Sequence, residues 1–173
     1  MTQRLDEAPD LGPGEQRASR PREACPLSVL AVHREAIAVQ LPERVVLLHP
    51  GTHEVIWEHP LVSRSLLLPG LLLHPSGLVI LAGTMLEIHW IDIGSGALLH
   101  ARKGRLMRGM AVASNGSACA AVQMARRKVL LWQPSDSESF AEFEIEGGLW
   151  DAVSFSQDSR HLFLASTDDT LVR

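Results

Sequence analysis

The sequence predicts an all-β fold in which four-stranded antiparallel sheets repeat about every 40 residues. After residue 24, short apolar runs dominated by Val, Ile and Leu alternate with turn residues. Similar segments also recur at a nearly constant spacing: Gly116 follows Gly77 by 39 residues, and Ser159 follows Gly77 by 82. Many short strands at even spacing are typical of sandwiches, barrels and propellers, and a period near 40 favours a β-propeller.

Two sets of segments carry this repeat, one for each half of a blade. The first set is predicted to span the turn between the first two strands: "LLLHPSGLVILAG" (71–83), "GMAVASNGSACAAV" (109–122) and "AVSFSQDSRHLFLAST" (152–167). The second set is predicted to form the hairpin of the last two strands: "RVVLLHPGTHEVIWEH" (44–59), "LEIHWIDIGSGALLHA" (86–101) and "KVLLWQPSDSESFAEF" (128–143). In this alignment Gly51 lies opposite Gly94, and Gln133 lies opposite Asp92.

The repeat divides the chain into a tail and about three and a half blades. Residues 1–24 are rich in charge, Pro and Gly, and we expect a disordered polar tail. The propeller then covers 25–173, with blades at about 27–60, 64–102 and 104–146 and a partial blade at 148–173. The strands of the first blade are expected near 27–32, 36–40, 44–48 and 54–59, and the first two of the last blade at 150–155 and 161–166.

The expected ring is incomplete, because propellers close with at least four blades. Such a chain would expose a strand edge, which promotes association. We therefore expect either a fragment of a longer protein or a ring completed by further blades, a partner or a second copy.

At the level of the blade, the chain resembles the WD40-like and quinoprotein-like propeller families over roughly residues 27–173. "WDAVSFSQDSRHLFLASTDDTLVR" is similar to the start of a WD40 blade, whereas "IHWIDIGSG" and "HPGTHEVIWEHP" are similar to the turn-then-Trp pattern of quinoprotein-like blades. No Gly-His dipeptide opens a blade, and Trp150-Asp151 lies at a first strand instead of ending a third. The resemblance thus implies blade architecture and a protein-binding scaffold, and no particular subfamily.

Composition excludes several classes of function. A net charge of −4 disfavours a general nucleic-acid binder. The most apolar stretch, residues 66–83, is interrupted by Pro and Gly, so we expect no membrane span. Cys25 and Cys119 are isolated, as is usual for reduced thiols, and no signal peptide is visible, so we expect a cytoplasmic protein.

The segment "HPGTHEVIWEHP" (49–60) resembles a zinc-protease motif, but Trp57 stands where the second histidine is required. On a strand, alternation places His53, Val55, Trp57 and His59 on one face. His49 facing His53 across the hairpin turn is the remaining candidate for a zinc pair, and we expect no metal site. The other histidines, at 33, 74, 89, 100 and 161, are expected to be satisfied surface or turn residues.

Catalytic motifs are absent from the sequence: it contains no G-x-S-x-G, no P-loop and no G-x-G-x-x-G. Asp168 and Asp169 form an adjacent acidic pair, but they follow a strand in a predicted turn, where Asp is favoured. We therefore expect no catalytic residue, no cofactor and no enzymatic activity.

Seven cations are predicted to converge above the third blade. They come from two segments that should emerge on the same side of a propeller, namely the connection into the blade and the turn between its second and third strands: Arg102, Lys103, Arg105, Arg108, Arg126, Arg127 and Lys128. Because loops on a rigid scaffold often bind partners, we expect this cationic cluster to dock a protein or an acidic peptide.

Three hypotheses follow from the sequence. The first is a non-enzymatic propeller scaffold for protein–protein interaction. The second is the propeller portion of a larger enzyme or sensor whose catalytic part lies elsewhere. The third is a gene remnant without function.

Overall fold

The computed structural model describes residues 28–33, 36–61, 70–104, 106–123, 127–134, 140–146, 150–166 and 171–172. These residues form four antiparallel sheets, numbered 1 to 4 in chain order. Sheets 1 and 2 have four strands each: β1 (Ser28–His33), β2 (Ala36–Leu41), β3 (Arg44–Leu48) and β4 (Val55–Pro60), then β5 (Gly70–Leu73), β6 (Val79–Gly83), β7 (Glu87–Asp92) and β8 (Leu98–Lys103).

Sheet 3 also has four strands and sheet 4 has three: β9 (Met107–Val112), β10 (Cys119–Gln123), β11 (Lys128–Trp132) and β12 (Phe140–Glu144), then β13 (Trp150–Phe155), β14 (Leu162–Ser166) and β15 (Leu171–Val172). Every described element is a strand that pairs with its neighbour in sequence. The prediction of an all-β fold with about three and a half four-stranded blades is confirmed.

The hydrophobic core lies between the sheets, in three clusters that are each shared by two successive sheets. Alternation along a strand divides its side chains between two clusters. In β6, Ile80 and Ala82 face sheet 1 while Leu81 faces sheet 3. In β10, Cys119 faces sheet 2 and Ala120 faces sheet 4. This two-sided burial explains why the second strands appear in the sequence as continuous apolar runs.

The first strands of successive sheets pack against one another, which places them at the centre of the arrangement. The closest approach is between β9 and β13. A Cβ atom added at Gly109 would lie 2.7 Å from the carbonyl oxygen of Asp151 and 2.9 Å from the Cα atom of Ala152. Only glycine fits this contact without a shift of the backbone.

The turns between first and second strands confirm the register that the repeat predicts. In sheets 2, 3 and 4, the fourth residue of the turn donates its N–H to the carbonyl oxygen of the first, over 2.8 to 2.9 Å. That fourth residue has positive φ in each case: 71° at Gly77, 71° at Gly116 and 60° at Ser159. The aligned positions are therefore the same position of the same turn.

The turns between third and fourth strands are also equivalent in sheets 1 and 2. In both His49–Glu54 and Asp92–Ala97, the first residue donates to the sixth and the fifth donates back to the first, over 2.8 to 2.9 Å. Gly51 and Gly94 both occupy the third position, as the alignment predicts.

The predicted alternation along β4 is wrong in its first half. Ile56 forms a bulge that has no partner in β3, so the register shifts between Val55 and Trp57. Val55 is 52% exposed, whereas Trp57 and His59 face the neighbouring sheet. His53 lies in the turn and does not share the face of Trp57.

Candidate interaction surface

The turns after second strands and the connections after fourth strands lie on one side of the molecule, which we call the upper face. A recurrent hydrogen bond of 2.6 to 2.8 Å joins them within each four-stranded sheet: Leu61 N–H to Glu43 O, Gly104 N–H to Leu86 O, and Ile145 N–H to Arg127 O. The structure therefore brings both segments of the cationic cluster to this face. Two of its seven members, Arg105 and Arg126, lie outside the described residues.

Two cations of the cluster meet one carboxylate at the periphery of sheet 3. The Nζ atom of Lys128 donates to Glu142 Oε2 over 2.7 Å, within the hairpin of β11 and β12. Arg102 reaches the same region from β8 of sheet 2. Burial lowers the pKa of Arg102, and the nearby Glu142 carboxylate acts in the opposite direction. Glu142 therefore pairs directly with Lys128 of its own sheet and acts electrostatically on Arg102 of the adjoining sheet.

An aromatic ring completes this contact between sheets 2 and 3. The guanidinium carbon of Arg102 lies 5.9 Å from the centroid of a Trp132 ring, which is within the range of a cation–π interaction. Sequence analysis predicts Arg102 as a ligand-binding cation, and the structure shows that it also contacts the adjoining sheet.

Arg108 occupies a different place in the cluster. It lies on β9, a central strand, and its Nη1 atom donates to Asp151 Oδ1 of sheet 4 over 2.8 Å. Its Nε atom is buried and has no acceptor within the described part of the chain. The structure therefore separates Arg108, at the centre of the sheets, from the pair around Glu142 at the periphery.

Lys103 and Arg127 are the most available cations of the cluster. Both side chains are exposed, and neither makes an ion pair with any residue that the structure describes. Lys103 ends β8, and Arg127 lies in the turn before β11 with φ of 49°. The surface consequently combines two free cations with neutralised ones. The acidic pair Asp168 and Asp169, predicted for the neighbouring turn, lies outside the described residues.

A buried chain of polar groups lies between sheets 1 and 2, and the sequence does not predict it. The Nδ1 atom of His59 lies 3.1 Å from Gly96 O, its Nε2 atom lies 3.1 Å from His89 Nδ1, and His89 Nε2 lies 2.9 Å from Glu87 Oε2. His59 is 6% exposed and His89 is 2% exposed. The expectation that His89 is a surface or turn residue is wrong, because it contacts a residue of the adjoining sheet.

This polar chain ends in an acceptor on both sides, a carbonyl and a carboxylate. Because Gly96 O accepts from His59 Nδ1–H, a neutral His59 ring leaves Nε2 to accept from His89 Nδ1–H. Burial lowers the pKa of His59, with hydrogen bonding to Gly96 opposing it and the proximity of His89 reinforcing it. His59 is then the neutral member, which accepts from His89 and donates to Gly96. The arrangement fastens sheet 1 to sheet 2.

The zinc-like segment is a turn that is stabilised by its own side chain. The Nδ1 atom of His49 lies 3.3 Å from Gly51 N and 3.4 Å from Thr52 N, so this ring nitrogen accepts from the turn. Within the described ranges, no three His, Cys, Asp or Glu side chains are grouped so that they could hold a metal ion. A helix long and apolar enough to span a membrane is likewise absent from those ranges.

Comparison with known proteins gives a match at the level of structure. No protein-family model matches the chain, and no curated protein matches its sequence. The β-propeller domain of Cps50 (Swd1) from Myceliophteria thermophila is similar, with a TM-score of 0.65 and 14% sequence identity. The match covers 78% of this chain and 48% of that chain, so this chain spans about half the length of its structural neighbour. The chain therefore has the fold of a β-propeller.

Proposed function

We propose that the protein is a non-enzymatic β-propeller scaffold that binds a protein or peptide partner on its upper face. The observation that carries this proposal is the pair of exposed cations, Lys103 and Arg127, on the face that also holds the Lys128–Glu142 ion pair and Arg102. Free cations attract an acidic partner, and the neighbouring Glu142 favours a partner of defined charge pattern over a uniformly anionic polymer.

Arg105 and Arg126 belong to the proposed surface by their position in the sequence. Arg108 is proposed as a central part of this surface, where Asp151 balances its charge. The fold supports a binding role, since propellers present loops on a rigid framework. We further propose a cytoplasmic location, in line with Cys119 being buried and not in a disulfide.

A fluorescein-labelled peptide of mixed Glu and Gly tests the charge of the surface. We expect Arg127→Glu to weaken its binding roughly tenfold, which corresponds to about 1.4 kcal/mol, and Lys103→Glu to act in the same direction. The matched control is Arg160→Glu, which makes the same charge change at an exposed turn residue of sheet 4. Fluorescence anisotropy at low and moderate salt measures the affinity.

Equal weakening by the control variant would contradict a localised site and indicate only an effect of net charge. Binding of a random-sequence DNA duplex as tightly as the acidic peptide would contradict the proposed preference for protein. Capture of a cellular partner by the wild type but not by Arg127→Glu would then identify the physiological ligand.

An alternative proposal is that the chain is the propeller portion of a larger enzyme or sensor. The structural match covers 48% of the neighbouring chain, which leaves room for further elements. The reading frame that surrounds this sequence discriminates the two proposals: additional blades alone favour the scaffold, and a catalytic domain favours the alternative.

A further inference from the structure

An open pocket of about 450 Å³ lies between sheets 2 and 3, on the face opposite to the cationic cluster. Its walls come from turns on the side opposite to the upper face and from strands β7 and β8 of sheet 2. The residues that define it are His74, Leu78, Trp90, Leu99, His100 and Pro134. The volume lies within the range of about 300–1,000 Å³ that is typical of ligand pockets.

The equivalent place between sheets 1 and 2 is occupied by a tryptophan of the chain itself. Trp57 packs over Gly96, where an added Cβ atom would lie 2.7 Å from its Cδ2 atom. The indole Nε1–H of Trp57 donates to the Ile93 carbonyl oxygen over 2.8 Å. One sheet thus inserts an aromatic ring against the hairpin turn of the next sheet.

Strand register shows that Trp57 and His100 are equivalent positions. Trp57 pairs with Leu47 of β3, and His100 pairs with Trp90 of β7. In both strands a bulge follows towards the turn, at Ile56 and at Leu99. The sheet 1 side therefore presents an indole where the sheet 2 side presents the smaller imidazole of His100.

The receiving sheets are equivalent as well. Ile91 pairs with Ile80, three residues after Gly77, and Trp132 pairs with Cys119, three residues after Gly116. Counting two residues onward, Pro134 occupies in sheet 3 the position of Ile93 in sheet 2. Pro134 lines the pocket, and its place in the strand register corresponds to that of Ile93, whose carbonyl oxygen accepts the Trp57 indole N–H in the neighbouring junction.

The walls of the pocket suit an aromatic ring. Leu78 and Leu99 are 66% and 58% exposed, and they are the most exposed large apolar side chains in the described part of the chain. The centroid of the His100 ring lies 5.2 Å from that of a Trp90 ring, and His100 makes no hydrogen bond with a described residue. The buried indole nitrogen of Trp90 also has no acceptor among the described residues. The pocket therefore combines apolar surface with polar groups that have no hydrogen-bond partner among the described residues.

We propose that this pocket binds a tryptophan side chain presented by a partner peptide, in the manner in which the chain seats its own Trp57. The incoming indole would pack between Leu78 and Leu99 and against the His100 ring. Its N–H would donate to the Pro134 carbonyl oxygen, as Trp57 donates to Ile93. This site is separate from the cationic surface and does not depend on it.

The test uses the full chain and N-acetyl-L-tryptophanamide as the probe, followed by ¹H–¹⁵N correlation and saturation-transfer NMR. We expect saturable shifts confined to residues around the pocket. His100→Trp places an indole where the equivalent sheet has one, so we expect it to weaken probe binding at least roughly tenfold. His161→Trp is the matched control, because it makes the same substitution in sheet 4 at a side chain that is 41% exposed, and we expect unchanged binding.

A second variant covers the case in which His100→Trp does not fold. Leu78→Glu changes a side chain that is 66% exposed, so the core is untouched, and it should weaken binding of the probe. Unchanged affinity in both variants, or an absence of saturable shifts in the wild type, would overturn the proposal. Equal affinity for N-acetyl-L-leucinamide would also overturn it, because the pocket would then be a general apolar surface.

Discussion

Non-glycine residues with positive φ carry backbone strain, and this strain should affect the free energy of unfolding. His53 adopts φ of 57°, while the equivalent Gly96 in the next sheet adopts 71°. A non-glycine residue in this region costs roughly 1–2 kcal/mol, and the greater freedom of unfolded glycine offsets roughly 0.5–1 kcal/mol. We expect His53→Gly to raise the free energy of unfolding by up to about 1 kcal/mol, as measured by urea denaturation.

Gly77→Ala is the converse experiment. Gly77 has φ of 71°, and no atom lies within 4 Å of a Cβ atom built there, so the change acts through the backbone alone. We expect Gly77→Ala to lower the free energy of unfolding by about 1 kcal/mol. A shift of both variants in the same direction would contradict the explanation by φ.

The buried thiol of Cys119 should be chemically silent in the folded protein. Burial raises its pKa to about 12, and the thiolate is the reactive species. In a Cys25→Ser background, we expect no reaction with a disulfide reagent at about pH 8 until a denaturant is added. Rapid labelling under native conditions would show that β10 opens readily.

At the scale of the element, the turn from Asp92 to Ala97 supports the junction between sheets 1 and 2. It presents the carbonyl groups of Ile93 and Gly96 to Trp57 and His59. Asp92 holds the turn by accepting from the Ser95 hydroxyl and N–H groups, over 2.6 and 2.8 Å. These hydrogen bonds stabilise the carboxylate and lower the pKa of Asp92 from its usual 3.8.

This pKa shift predicts a pH dependence with a definite sign. Because the pKa is lower in the folded state, the ionised Asp92 contributes stability above about pH 4, and the contribution is lost as the pH falls through the folded-state pKa. We expect Asp92→Asn to be less stable than the wild type near neutral pH and the two to converge in acid. Thermal melts between about pH 2 and 7 measure the difference, and a constant difference would contradict the assignment.

Elements are predictable where their cause is local in the sequence. The turns at Gly77, Gly116 and Ser159 are predictable because similar segments recur about every 40 residues, and each of these residues has positive φ in the structure. The bulge at Ile56 has no such signal, since it depends on how β4 meets β3. The contact between His59 and His89 joins residues 30 positions apart on different sheets, and no periodicity within one strand encodes it.

At the scale of the whole molecule, the described sheets differ in the number of hydrophobic core clusters to which they contribute. Sheets 2 and 3 each contribute to two core clusters, whereas sheets 1 and 4 each contribute to one. We propose that further blades complete the ring, supplied by additional chain, by a partner or by a second copy. For the isolated chain, we expect light scattering after gel filtration to give at least twice the monomer mass. A stable monomer with a cooperative melt would contradict this proposal.

The convergence of the cations on one face follows from strand topology and could be predicted. Which of them are neutralised could not, because Glu142 and Asp151 reach Lys128 and Arg108 only through side-chain geometry. The pocket beside His100 could not be predicted from the sequence either, because it is recognised only when the strand registers of two sheets are compared.

The two-sided strands β6 and β10 bear on how this protein folds. Neighbouring residues such as Ile80 and Leu81 pack into different junctions between sheets. No single sheet therefore contains a complete hydrophobic core. The molecule is better described as a row of junctions than as a row of sheets, with stability set by coupling between nearest neighbours. Order can then start at any junction and spread in either direction, and each newly docked sheet prepares the surface for the next.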